Sequence, residues 1–175
     1  MKNFKTMTRT FWVAAALLVS FLAIKPATAQ GPMGRSFGFG LIVGDPLGAT
    51  IKAWNAGDEA FVFSIGASYF GATRIGADYD WHFNAFRSDV VKMYAGPGIV
   101  LGIGRATYGY YTRRGDVFYY REDGGLGIAG RVMAGINIIP RSAPIEMFLE
   151  VGPLIGLSPG FGVALDAAAG IRFYP

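Results

Sequence analysis

Apolar and polar residues alternate one by one through long stretches of the chain, which predicts β-strands with one apolar and one polar face. The clearest stretch runs from Thr73 to Asn84, where every second residue is ionisable or Gly and most of the residues between are apolar. The same alternation returns from Phe161 to Tyr174. Repetition of such segments, each with an apolar face that includes aromatic residues, is typical of a transmembrane β-barrel.

Eight segments of this kind are separated by turn-forming residues such as Gly44-Asp45-Pro46. The predicted strands are 35–43, 48–54, 60–68, 72–83, 90–105, 124–139, 144–157 and 160–174. Eight is an even number, as single-chain bacterial barrels require. We therefore expect an all-β fold, an eight-stranded antiparallel transmembrane β-barrel. Pro97 and Pro153 fall inside strands, but the flanking apolar positions stay in phase, so we expect local distortion without a change of register.

The first 29 residues predict a signal peptide that directs export. Three basic residues precede an apolar run over 11–24, and Ala27-Thr28-Ala29 then supplies small residues for cleavage. Residues 30–175 are predicted to form a single barrel domain in the cell outer membrane. The chain has no Cys, so neither a lipid-accepting Cys nor a disulfide framework is available to it.

Charge argues against a nucleic-acid partner. The whole chain has 16 Lys and Arg against 12 Asp and Glu, but four of the basic residues lie in the signal segment, which leaves 12 of each sign. Helical membrane spans are also disfavoured in residues 30–175, because the longest stretch there without Asp, Glu, Lys, Arg or His, 151–165, contains two Pro and four Gly. A closed barrel is the other structure that satisfies backbone groups in lipid.

Ionisable residues of both signs fall on the predicted inward face of the strands. They are Arg74, Asp78, Asp80, His82, Lys92, Arg131, Glu146, Glu150, Asp166 and Arg172. An eight-stranded barrel is just wide enough for side chains to fill, so we predict a plugged interior held by ion pairs. Inward Gly residues, including Gly38, Gly98 and Gly102, could leave space for water. A narrow channel for ions or small solutes is therefore the alternative.

Asp78, Asp80 and His82 resemble the carboxylate and His sets of outer-membrane hydrolases. We predict no catalysis, because His82 would face inward near the periplasmic rim and no Ser stands out as its nucleophile. A lipid-modifying enzyme is thus the less favoured reading. With one His and no Cys, the chain also lacks a metal-ligand cluster, and no cofactor is predicted.

The one long connection, 106–123, is predicted to lie outside the cell if the first strand starts on the periplasmic side. Its aromatic residues are placed almost symmetrically, which predicts a protruding β-ribbon with its turn at Arg114-Gly115-Asp116. The predicted contact residues are Tyr108, Tyr110, Tyr111, Arg113, Arg114, Asp116, Phe118, Tyr119, Tyr120 and Arg121. They suit a surface protein, or lipopolysaccharide phosphates bound by the three Arg. The Arg-Gly-Asp tripeptide resembles an integrin ligand, but three residues arise readily by chance.

Aromatic residues near strand ends predict two interfacial girdles. The predicted periplasmic girdle contains Trp54, Phe61, Trp81, Phe83 and Phe173. The predicted outer girdle includes Tyr69, Phe70, Tyr108 and Tyr110. A soluble lipid-carrying barrel is the competing class, and it would carry the opposite pattern, with an apolar cavity and charges outside.

Several segments together resemble a family of small outer-membrane β-barrels described mainly from spirochaetes, of unknown function and similar to the OmpX and OmpA barrels. The matching segments are GLIVGDPLG at 40–48, ADYDWHF at 77–83, PIEMFLE at 144–150 with Pro153, LSP at 157–159 and GIRFY at 170–174. The resemblance implies the barrel fold, contact with outer-membrane lipid and recognition by the barrel assembly machinery. Gly170 and Phe173 resemble the C-terminal address for that machinery, with Pro175 where Phe is usual. It implies no agreed biochemical activity, so we expect a structural or surface-interaction role through the ribbon.

Overall fold

The computed structural model describes residues 31–55, 57–105, 125–158 and 161–175, together with the backbone of 108–111 and 117–120. The predicted signal segment, 1–29, lies outside these residues. A 3-10 turn at Pro32–Gly34 precedes the strands. The strands are β1 (Phe37–Gly44), β2 (Leu47–Trp54), β3 (Glu59–Ser68), β4 (Gly71–Phe83), β5 (Val91–Ile103), β6 (Tyr108–Tyr111), β7 (Val117–Tyr120), β8 (Leu126–Ile138), β9 (Ile145–Ser158) and β10 (Gly162–Phe173). Within this part of the chain, no helix is long and apolar enough to cross a membrane.

Eight of these strands close into an antiparallel barrel. Each of β1 to β4 pairs with the next strand along the chain, β5 pairs with β8, and β8, β9 and β10 follow in order. Pairing between β1 and β10, from Phe39 opposite Phe173 to Gly44 opposite Ala168, closes the sheet. β6 and β7 form a hairpin inserted between β5 and β8, here called the ribbon. The predicted all-β, eight-stranded antiparallel barrel is confirmed.

The two ends of the barrel differ in what they carry. At the terminal end lie the start of β1, the end of β10 and the connections β2–β3, β4–β5 and β8–β9. At the ribbon end lie the connections β1–β2, β3–β4 and β9–β10 together with the ribbon, which enters from β5 and leaves to β8. These two names are used below for positions along the barrel.

Side chains alternate between a buried polar face and an exposed apolar face along each barrel strand, as the period of two requires. In β9, for example, Glu146 and Glu150 are buried whereas Met147, Leu149 and Val151 are exposed. Exposed large apolar residues in the barrel strands are Phe37, Phe39, Leu41, Val43, Leu47, Ile51, Ile65, Ile75, Trp81, Phe83, Ile99, Ile103, Leu126, Val132, Ile138, Met147, Leu149, Val151, Leu157, Val163, Leu165, Ile171 and Phe173. The barrel therefore has an apolar exterior, and its interior holds the ionisable residues together with small apolar clusters.

The two prolines inside strands interrupt pairing without shifting it. Beside Pro97, the ladder between β4 and β5 stops after Asp78 and resumes in the same register at Trp81. The ladder between β8 and β9 is interrupted in the same way beside Pro153. Because proline lacks the backbone N–H that a ladder needs, the missing pairs are a local effect. The prediction of local distortion without a change of register is confirmed.

Two aromatic residues assigned to the girdles lie inside the barrel instead. Trp54 is buried at the terminal end, where it packs with Ala60, Ile139 and Tyr174. It belongs to the inward series of β2, since its neighbour Ala53 occupies the outward position. Phe70 is buried at the ribbon end, because the turn after the register shift between Gly66 and Ser68 carries it over the mouth. The assignment of Trp54 to the periplasmic girdle and that of Phe70 to the outer girdle were therefore wrong. Tyr108 and Tyr110 are described by their backbone alone.

Candidate functional site: the charged interior of the barrel

Nine of the ten ionisable residues predicted to face inward are buried. They are Arg74, Asp78, Asp80, His82, Arg131, Glu146, Glu150, Asp166 and Arg172. The tenth, Lys92, lies at the terminal rim with its side chain 16% exposed, and its Nζ is 3.7 Å from Oδ1 of Asp58. The predicted interior site is therefore correct in its position except at this rim, where Lys92 reaches out to a connecting loop.

A first cluster, nearer the ribbon end, joins two arginines to three carboxylates. Arg131 binds Asp78 through two contacts, Nε to Oδ1 at 2.6 Å and Nη2 to Oδ2 at 2.5 Å, and its Nη1 lies 3.4 Å from Oδ2 of Asp166. Arg74 also donates through both terminal nitrogens to Asp166 and lies 3.3 Å from Oδ1 of Asp45. The planar guanidinium fork suits such two-point pairing, so this ribbon-end cluster is held in a defined geometry.

The residues of the β3–β4 turn cover the ribbon-end cluster. The Tyr69 hydroxyl donates to Asp166, and burial and the Asp166 carboxylate raise the pKa of Tyr69 above its ordinary value. The Phe70 ring packs against Val100, Ala129 and Leu154 in an apolar cluster beside the ion pairs.

A second cluster, nearer the terminal end, centres on Glu146. Its Oε1 accepts hydrogen bonds from Nζ of Lys52 at 3.0 Å and from Nη1 of Arg172 at 2.7 Å, and its Oε2 accepts one from the Tyr174 hydroxyl. Arg172 also donates to Oγ1 of Thr50 at 3.1 and 3.2 Å. Each charge in this terminal-end cluster is met by several polar partners, which is the condition under which buried ions are tolerated.

His82 is fixed between rings and hydrogen-bonding groups at the same level. Its ring is 4.4 Å from the Trp54 ring and stacks on Tyr94 at 5.4 Å. Nδ1 lies 3.0 Å from the Asp58 carbonyl, which can only accept, and Nε2 lies 2.9 Å from Nζ of Lys52, which can only donate as an ammonium. His82 therefore fits as a neutral imidazole, protonated on Nδ1. Its contacts are those of a structural His, consistent with the role predicted from sequence.

Inward glycines provide the space that these large side chains occupy. A Cβ at Gly38 would lie 2.6 Å from the Tyr174 ring, and a Cβ at Gly98 would overlap the Asp78 carboxylate. At Gly102 it would meet backbone and ring atoms of Phe70. At these three positions the space beside the glycine is occupied by Tyr174, Asp78 and Phe70.

Sequence reasoning missed several residues of the interior. Lys52, Thr50, Ser64, Tyr94 and Asn137 are all buried, and three of them bond the charged residues. The Tyr94 hydroxyl donates to Oε2 of Glu150 at 2.7 Å. Lys52 replaces Lys92 as the fourth inward cation. The alternation in β2 carried the signal, since Gly48, Thr50, Lys52 and Trp54 share one phase.

The predicted ribbon is present in the backbone. Tyr108 lies opposite Tyr120 and Tyr111 opposite Val117, so the two strands flank the expected turn. That turn at 114–116, and the predicted contact residues Arg113, Arg114, Asp116 and Arg121, lie outside the described residues. The ribbon also contacts the barrel, because Tyr111 lies opposite Val163 of β10. The other predicted contact residues, Tyr108, Tyr110, Tyr111, Phe118, Tyr119 and Tyr120, are described by their backbone alone.

Comparisons of the chain with family models, with curated proteins and with solved structures returned no match. Among the described residues, no group of three or more His, Asp or Glu side chains is arranged to hold a metal ion. The class of protein is therefore assigned from the fold alone: a closed eight-stranded antiparallel β-barrel with an apolar exterior and buried ion pairs.

Proposed function

We propose that this chain is an integral outer-membrane barrel with a structural or surface-interaction role, in which the ribbon presents the contact surface. One observation carries the membrane part of the proposal. Charged residues occupy the inside of the barrel, whereas the exposed faces of its strands are apolar along their length. A soluble barrel in water would gain stability from the reverse arrangement, while a membrane barrel requires this one.

The aromatic residues at the terminal end support the same placement. Phe61, Tyr79 and Trp81 form a chain of edge-to-face contacts on the outward face, with ring centroids 4.7 and 5.3 Å apart. Phe39 and Phe173 form another at 6.1 Å. A belt of aromatic rings at one level suits the boundary between hydrocarbon and headgroups. The resemblance to small outer-membrane barrels and the predicted signal peptide favour the same location.

The interior suits a plug better than a channel. The ribbon-end cluster and the terminal-end cluster each tie charged side chains from several strands to one another. Phe70 packs in an apolar cluster at one end of this arrangement, and Trp54 packs with Tyr174 at the other. An ion path would require these groups to separate, which makes a structural or surface role the stronger proposal.

A pair of matched substitutions tests the membrane location. Leu149, the fifth of the fourteen residues of β9 and part of its exposed apolar face, is 61% exposed, and Met33 in the terminal turn is 58% exposed. In a bilayer, Leu149→Arg should lower the free energy of unfolding by about 2–4 kcal/mol, while Met33→Arg, away from the hydrocarbon, should cost about 0–1 kcal/mol. Equal and small effects of both substitutions on unfolding in lipid vesicles would contradict the proposal.

Gel mobility gives the first direct readout. A folded membrane barrel in the outer-membrane fraction should resist SDS until it is boiled, so its mobility should change on heating. A soluble periplasmic species without a heat-dependent shift would overturn the location and would favour the lipid-carrier class.

The ribbon is tested separately by replacing 106–123 with a short turn. The heat shift should persist while binding of a surface partner is lost, and unchanged binding would exclude the ribbon as the contact surface.

A further inference from the structure

The tip of the ribbon is docked on the barrel. The ribbon leaves the barrel after β5 and returns at β8, yet Tyr111, the last residue of β6, lies opposite Val163 of β10. Tyr111 is called the ribbon tip below. In the order of the sheet, β10 stands two strands beyond β8. The ribbon therefore leans along the rim toward β10, and backbone pairing holds its far end there.

The part of β10 that receives the ribbon is an edge left open by β1. The last pair between the two strands joins Gly44 to Ala168, and the Asp45 N–H then donates to the Ala167 carbonyl at 3.0 Å. Toward the ribbon end β10 continues as 162–166, paired on its other side with β9. On the side that β1 has left, the described contacts are the pairing of Val163 with Tyr111 of β6 and a hydrogen bond from the Tyr69 hydroxyl to the Leu165 carbonyl at 3.1 Å.

Gly44 explains why β1 leaves at this point. Its φ is 113°, a conformation that residues with a Cβ rarely adopt, and a Cβ here would overlap the Ala167 carbonyl. The chain turns away through Asp45 into β2. The departure of β1 at Gly44 therefore leaves the edge of β10 at 162–166 without a neighbouring barrel strand. Open backbone edges pair readily with extended strands.

We propose that the edge of β10 at 162–166 is a strand-accepting site, which the ribbon occupies in the resting protein. A partner binds as an extended polypeptide strand and displaces the ribbon tip from this edge. The proposal rests on the proposed surface role of the ribbon and assigns it a resting contact and a class of partner. The backbone groups of the edge supply the affinity, and release of the tip controls access to them.

Cysteine crosslinking tests the docking in the intact protein, because the chain has no native Cys. Directly opposed residues on paired strands have Cβ atoms about 4.5–5.5 Å apart, within reach of a disulfide after small adjustments. Tyr111→Cys with Val163→Cys should therefore oxidise almost completely within one chain. The matched control is Tyr111→Cys with Ala72→Cys. Ala72 lies at the start of β4, which is the neighbour of β5, the strand from which the ribbon leaves the barrel. A ribbon that projects freely would reach Ala72 as readily as Val163.

Crosslinking is scored on chains that show the heat-dependent gel shift, and Val163 is an exposed position whose replacement leaves the interior intact. Strong crosslinking to Val163 and none to Ala72 is the expected result. Equal crosslinking of the two pairs, or none in folded chains, would overturn the docking. Either result leaves the membrane location to be judged by Leu149→Arg.

The strand-accepting site is then tested with a fluorescent peptide that copies 108–121, with a scrambled peptide as control. The peptide should bind the reduced double-Cys variant by exchanging with the ribbon tip. Oxidation locks the tip in place, so binding should fall at least about tenfold, a difference of about 1.4 kcal/mol. Equal binding to the reduced and oxidised forms, or no binding to the reduced form, would overturn the site.

Discussion

Replacing Gly38 by Ala should damage the terminal end of the barrel out of proportion to the single methyl group added. A Cβ at this position would lie 2.6 Å from Cε2 and Cζ of Tyr174 and 2.8 Å from its Cε1. The Tyr174 ring is fully buried and cannot move aside without losing its partners. Its hydroxyl accepts a hydrogen bond from Nε1 of Trp54 at 3.0 Å and donates one to Glu146.

The expected loss has two parts. Overpacking of a filled interior costs about 1–3 kcal/mol, and weakening the two hydrogen bonds of the Tyr174 hydroxyl adds about 1 kcal/mol or more. We therefore expect Gly38→Ala to lower the free energy of unfolding by about 3 kcal/mol. The assay is urea unfolding in lipid vesicles, followed by the heat-dependent gel shift and by tryptophan fluorescence, to which Trp54 contributes directly.

Gly130→Ala is the matched control, because a Cβ at Gly130 has no other atom within 4 Å. Alanine there should be neutral or should stabilise the strand by a few tenths of a kcal/mol, up to about 1, since glycine is less favourable than alanine in a strand. If both substitutions change the free energy of unfolding by the same amount, the space over Gly38 is not filled by Tyr174. The argument that glycines accommodate the interior side chains would then fail.

Three further predictions concern the interior. Arg131→Gln should lower the free energy of unfolding by about 3–5 kcal/mol, because Asp78 and Asp166 lose a shared buried cation. A loss below about 1 kcal/mol in urea unfolding would refute the stabilising role of the ribbon-end cluster. Asn137→Leu should be neutral or stabilising by about 1 kcal/mol, since both amide atoms of the buried Asn137 side chain lack a partner in the described structure; marked destabilisation in the same assay would mean that they bind something essential. The purified barrel should be silent in planar bilayers, and discrete conductance that changes in Arg74→Gln would favour a channel instead.

The fold follows from the sequence because a single physical rule governs it. Alternation with a period of two assigns each residue of β4, β8, β9 and β10 to one face, and most of the inward charges follow from that rule alone. The same rule applied to β2 also places Lys52 and Trp54 inside. They were missed because β2 carries few charges, so the position of Trp54 at a strand end suggested a girdle.

The partners of each charge do not follow from the alternation. The contact of Arg131 with both Asp78 and Asp166 depends on the stagger between strands, which is set by pairing around the whole barrel. The inward position of Phe70 depends on a register shift in the turn that precedes it, and a shift of one residue exchanges the two faces. Docking of Tyr111 on β10 depends on where β1 stops. Each of these is a property of the closed sheet and not of one segment.

The interior is better described as a set of shared anions than as a sum of ion pairs. In the described part of the chain, the buried carboxylates Asp78, Asp80, Glu146, Glu150 and Asp166 outnumber the buried cations Lys52, Arg74, Arg131 and Arg172. Asp166 is shared by two guanidinium groups, and tyrosine hydroxyls supply neutral donors to Glu146, Glu150 and Asp166. Arginine can serve two acceptors at once through separate nitrogens, which lysine cannot match in fixed geometry. Replacement of Arg131 by Lys should therefore still lower the free energy of unfolding in the urea assay, but by less than replacement by Gln, because the two-point contact with Asp78 is lost while the charge remains.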